Sequence, residues 1–179
     1  MVYYYYLVAS LPTLEFGANP PLTTEEFLSQ CVQHLSRPDL SVIQKIIQQE
    51  KADTDMKNIF FKQWEGFNHN IRNEMAYFRA RRAGKDPAVY VRGERSTDPL
   101  YAELVAEASK GNDPLATEKI FDRRRWQFLD DQVRFHYFDL DILMVYALKL
   151  KILERYQAIA SAKGKAIFLE YKNINISLN

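Results

Sequence analysis

The apolar positions from Asp139 to Ala160 (DLDILMVYALKLKILERYQAIA) organise the reading of the whole chain. Ile142 to Leu148 are seven apolar residues in a row, and Leu150, Ile152, Leu153, Tyr156 and Ile159 continue at helical spacing. A surface helix shows one apolar stripe; a helix apolar nearly all round must be covered on most sides. The stretch is too long for a strand, which rarely exceeds about ten residues. Asp139 supplies an N-cap, and Lys163, Gly164 and Lys165 supply a stop. The pattern predicts a core helix over 139–160, wrapped by its neighbours.

The remaining periodicity is also helical. Tyr3 to Leu11, ended by Pro12, has strand propensity. The chain offers few strand partners, however, and a lone strand leaves its backbone unsatisfied, so a short helix is expected. Thr13 to Pro21 reads as a loop. Thr23 and Glu26 form a capping box, with Leu22 and Phe27 as its hydrophobic staple. Phe27, Leu28, Cys31, Val32 and Leu35 then line a helix face. Ser36-Arg37-Pro38 breaks that helix and starts another, faced by Leu40, Ile43, Ile46 and Ile47 and running to about Glu50. A long helix over Asp55–Ala83 carries the stripe Phe60, Trp64, Phe67, Ile71, Met75 and Phe78, and Gly84 ends it. Asp86 to Ser96 is a loop with a short extended piece, AVYVRG. Asp98-Pro99 and Asp113-Pro114 each open a further helix. The second of these is expected to reach Tyr137, with two stripes: Phe121, Phe128 and Phe135, and Trp126, Leu129, Val133 and Tyr137. The tail from Ala166 is apolar at Ile167, Phe168, Leu169, Tyr171, Ile174 and Ile176. The fold class is all-α, an irregular multi-helix bundle. The length suits a single domain over 1–179, or two helical units, 1–85 and 97–165, joined by the loop 86–96.

Charge and composition narrow the function classes. The net charge is +1, with 24 Lys and Arg against 23 Asp and Glu, so no overall field steers the chain toward nucleic acid or an anionic membrane. The single Cys31 excludes an internal disulfide framework and suits a reducing compartment. MVYYYYLVAS has no basic start before its short apolar run, so a signal peptide is not expected. No apolar run approaches the ~20 residues of a membrane span.

Three groups of residues are candidates for chemistry. Arg79, Arg81, Arg82 and Lys85 crowd one helix end, and Arg123, Arg124 and Arg125 another helix. They suit an anionic partner, or else helix-dipole compensation and a solvated face shared with Glu118, Asp122 and Asp130. Asn68, Asn70, Arg72 and Asn73 cluster in mid-helix, where Asn is a poor helix former. They read as a polar layer bonded to a neighbour, or as the polar side opposite the stripe. Glu65 and His69 stand one turn apart, but the Glu-x-x-His pairs of a bundle metal site do not occur. No phosphate loop, nucleophile elbow or Cys-x-x-Cys appears. No cofactor is expected, and no catalytic or metal residue is assigned.

Some of the letters carry a resemblance. The opening YYYLVASLPTLEF, followed by the capped EFL helix and Cys31, resembles an uncharacterised bacterial family whose genes lie among those for V-type ATPase subunits. FNHNIRNEMAYFRARRAGKDP and HYFDLDILMVYALKLKILERYQ fit it as well. That family is distantly similar to the C, or d, subunit of V-type and archaeal-type ATPases, the all-helical socket between central stalk and rotor ring. Tyr5-Tyr6-Leu7-Val8-Ala9 and the Asn68–Arg72 segment with Arg79 echo the socket's motifs, while Ser10 and Pro12 depart from them. The chain is about half as long as a full socket. The resemblance implies a non-enzymatic accessory or stalk-adaptor subunit related to one or two helical units of that socket. It would be cytoplasmic, and peripheral on the inner membrane through the ATPase. Its partners would be stalk or rotor proteins, met through Arg79, Arg81, Arg82 and Arg123–Arg125. The alternatives are an unrelated scaffold or small-ligand pocket protein, a metal enzyme within the bundle, and an RNA binder using Arg123–Arg125.

Overall fold

The computed structural model describes residues 3–48, 58–111, 113–134 and 136–161. Among these, every regular element is helical and none is a strand. The chain divides into two compact units, one of Met1–Glu50 with Phe128–Asn179, the other of Lys51–Gln127. The loop 86–96 thus lies inside the second unit rather than between two units.

In the first unit, α1 (Tyr5–Ser10), α2 (Thr24–His34) and α3 (Arg37–Gln48) are joined by the final helix, α7 (Leu140–Ala160). α7 packs on α3 and α2, and α2 packs on α3 and α1. The expected core helix is present: Leu143, Met144, Val145, Ala147, Leu148, Leu150, Ile152 and Leu153 are all buried. Asp139 caps it, accepting the Ile142 N–H at 3.3 Å. The anticipated stop at Lys163–Lys165 and the apolar tail lie outside the described residues.

The polar groups of α7 are used as well. Glu154 accepts the Thr24 backbone N–H at 2.6 Å and its hydroxyl at 3.0 Å, placing a carboxylate at the start of α2. Lys151 donates to the carbonyls of Ile46 and Ile47 at the end of α3, and burial holds its pKa below the usual lysine range. One helix thus puts an anion at one helix start and a cation at another helix end, as the macrodipoles favour. The α2 capping box forms as expected. Cys31 is fully buried, and burial pushes its thiol up to about 12.

The helix expected over Tyr3–Leu11 is present as α1, with Tyr5 and Tyr6 inside it and Tyr3 and Tyr4 before it. Six residues are too few for a stable isolated helix, and Tyr4 anchors this one. Its N–H donates to the Phe138 carbonyl at 2.6 Å and its hydroxyl donates to Asp39.

In the second unit, α4 (Ile59–Arg82) packs on α5 (Pro99–Ala108) and on a 3-10 turn at Pro87–Val89. Asn58 caps α4 by accepting the Phe61 N–H at 3.0 Å. The expected start at Asp55 falls outside the described residues. Phe60, Trp64, Phe67 and Ile71 of the stripe are buried, while Met75 and Phe78 are only partly so. Gly84 stops the helix at φ +66°. Its N–H reaches the Arg81 carbonyl at 3.1 Å and that of Lys85 reaches Ala80 at 2.9 Å, the paired bonds of a Schellman ending. Asp98 and Asp113 cap the next two helices, accepting the N–H groups of Leu100 and Leu115 at 2.9 Å each.

The helix after Asp113, α6 (Pro114–Gln132), ends five residues before the expected Tyr137. The apolar spacing continues past the point where the backbone turns, so Tyr137 is 67% exposed instead of joining the stripe of Trp126 and Leu129, which are buried. Phe135 is outside the described residues. No described helix is long and apolar enough to cross a membrane.

Candidate functional site

The mid-helix asparagines of α4 bring together a polar network within the second unit. Asn68 is buried; its amide nitrogen donates to the Trp64 carbonyl at 2.9 Å, and its oxygen accepts from Arg125 Nε at 2.9 Å. Arg125 Nη1 continues to Asp122 Oδ1 at 2.7 Å, with Glu118 at 3.9 Å. Asp122 is 0% exposed. It is therefore not part of a solvated face with Glu118 and Asp130, both of which are exposed. A buried carboxylate needs a cation and hydrogen bonds around it, and Arg125 supplies both.

A second branch holds the loop after α4. Asn73 donates to the Arg92 carbonyl at 2.8 Å and accepts the Arg92 N–H at 3.0 Å, so one side chain pairs both backbone groups of one residue. Gly93 follows at φ +70°, a conformation costly for any residue with a Cβ. Glu74, also buried, takes Arg95 in a two-bond fork at 2.6 and 2.8 Å. The Arg95 guanidinium lies over the Tyr77 ring at 4.0 Å. The fork with Glu74 raises the Arg95 pKa further.

Of the four polar-layer candidates, Asn68 and Asn73 are buried and bonded, Asn70 is partly exposed and Arg72 is exposed. The arginines separate too. Arg79, Arg81, Arg82 and Arg123 are exposed and Arg124 is half-buried. Arg124 bonds Gln127 at 3.2 Å, and Arg125 turns inward to Asn68. Reading by residue type missed Glu74, Asp122 and Arg95. The three-residue spacing of Asp122 and Arg125 on one helix was the available signal.

The bonds of the network hold Asn68, Asn73, Glu74 and Asp122 in fixed positions. His69 Nε2 faces the Asn73 amide at 3.0 Å. Among the described residues, no three of His, Cys, Asp and Glu gather as a metal site. What the network defines is an all-helical unit whose polar interior fixes a basic outer loop.

A family model described as "Protein of unknown function (DUF2764)" matches residues 97–174, the part of the chain that begins just before α5 and includes α6 and α7. Neither the curated proteins nor the solved structures give a match.

Proposed function

We propose that this chain is a non-enzymatic accessory or stalk-adaptor subunit of a bacterial V-type ATPase, acting through helix packing and surface charge. The observation that carries the reading is the outer face of α1. The opening with the most specific resemblance folds into a helix with Leu7 1% exposed and Tyr6 74% exposed. Tyr3, Tyr5 and Tyr6 all stand outward, and the Tyr5 ring lies 4.6 Å from that of Phe138. Rings held on a pinned backbone offer large contact area at low entropic cost, the property that enriches tyrosine at protein interfaces. The exposed Arg79, Arg81, Arg82 and Arg123 add surface charge of one sign. An adaptor needs stiff helices and outward contact groups, and both are present.

The attribution to the ATPase, with central-stalk or rotor subunits as partners and a cytoplasmic place on the inner membrane, rests on the sequence resemblance. Affinity purification of the intact ATPase from native membranes tests it. The chain should be retained with the stalk subunits, and a Tyr5→Ala/Tyr6→Ala variant should be retained less. Absence of the chain under gentle extraction would overturn the reading.

A further inference from the structure

The end of α4 and the loop that returns along it form a surface of their own. Asn73 bonded to Arg92, Glu74 forked to Arg95, and the 3-10 turn at Pro87–Val89 packed on α4 fix the loop against the helix, while Lys85 lies over the Tyr90 ring at 5.9 Å within the loop. On this scaffold Arg81, Arg82, Lys85 and Arg92 are exposed. None of them has a carboxylate within ion-pair distance among the described residues.

Dipole compensation explains only part of this. It acts within the last turn of a helix, and Arg92 lies in the loop. The final carbonyls of α4 already receive the N–H groups of Ala83, Gly84 and Lys85. Arg81, Arg82, Lys85 and Arg92 outnumber the exposed Asp86 and Glu94, so the surface is net positive on a backbone that is already ordered.

We propose that this surface docks an acidic polypeptide segment, with Arg81, Lys85 and Arg92 pairing its carboxylates and Val89 receiving an apolar side chain beside them. Val89 is 76% exposed and Tyr90 is exposed next to it. Arginine forks suit carboxylates geometrically, and rings with arginines are typical interface anchors. A nucleic-acid strand fits less well. Tyr77 carries Arg95 at 4.0 Å and Arg81 at 5.9 Å, so its ring already carries cations where a base would stack. The proposal stands whether or not an ATPase subunit supplies the segment.

The test uses the purified full chain and a short labelled Asp/Glu-rich peptide carrying one phenylalanine, followed by fluorescence anisotropy. An oligonucleotide of equal length and phosphatidylserine vesicles are the competing probes. The peptide should bind, and binding should weaken as salt rises. Arg81→Glu/Lys85→Glu/Arg92→Glu should lower its affinity by about tenfold or more, whereas Lys62→Glu, on the same helix, should leave it unchanged. The neutral variant Arg81→Gln/Lys85→Gln/Arg92→Gln should give an intermediate loss, with its circular dichroism checked against wild type. Equal binding by wild type and both triple variants would overturn the proposal. So would tighter binding of the oligonucleotide or the vesicles than of the peptide.

Discussion

Glu154 holds Thr24 by both its backbone N–H and its hydroxyl, at 2.6 and 3.0 Å, across 130 residues of sequence. The carboxylate comes from the last described helix and satisfies an amide in the first turn of α2 that the helix itself leaves unpaired. A local capping box already serves this terminus through Thr23 and Glu26, so α2 is capped twice, once by its own sequence and once by its packing partner.

Glu154→Ala should therefore destabilise the fold by about 1–2 kcal/mol, the usual cost of losing a helix cap and stranding its donor. The urea midpoint should fall with an unchanged slope. An unchanged midpoint would mean that the local box suffices.

Arg125→Met removes the cation facing a fully buried carboxylate. The expected loss is about 3–5 kcal/mol, the usual cost of breaking a buried ion pair by removing one partner. Adding Asp122→Asn should recover part of it. A double-mutant cycle in urea measures the coupling.

Asn73→Ala should free the loop while sparing the helices. The Arg92 amide should lose about tenfold in hydrogen-exchange protection, with the far-ultraviolet circular dichroism unchanged.

Cys31 should resist alkylation in the native state at pH 8. Its thiol is fully buried and pushed up to about 12 by that burial, so neither access nor thiolate is available. Labelling should keep pace with global unfolding as urea is raised, and fast labelling in buffer would contradict the packing of α2.

His136 gives a pH signature. Its imidazole bonds Asp139 at 2.5 Å, and that bond raises its pKa above 6.5, aided by the charges of Asp139 and Asp141 and opposed by desolvation. The folded state thus favours the protonated ring. The stabilisation is complete below about pH 6.5 and is lost as pH rises through the higher folded value. Melting temperature should decline over that window in wild type, and the decline should flatten in His136→Gln.

The elements legible in the sequence are those set by neighbours in the sequence. The start of α2 depends on Thr23 and Glu26, three residues apart, and the burial of α7 follows from a run with no polar face broad enough for solvent. The errors lie where distant segments decide. Tyr137 continues an apolar spacing, yet the helix has already ended. Asp122 resembles any surface acid until Asn68 on α4 reveals which side of α6 is covered. The purpose of Asn73 appears only when a loop nearly twenty residues later returns to it. The basic residues stand out by composition, but only packing separates Arg125, turned inward to Asn68, from the exposed Arg79, Arg81 and Arg82.

The division of the chain has a consequence for its birth on the ribosome. Phe27, Cys31, Ile43 and Ile46 leave the exit tunnel well before α7, the helix that packs on α2 and α3. The stretch 51–127 meets its own partners in the meantime. Synthesis therefore supplies the second unit in full before α2 and α3 meet α7, and over that interval these two helices remain clients for any chaperone that recognises bare hydrocarbon.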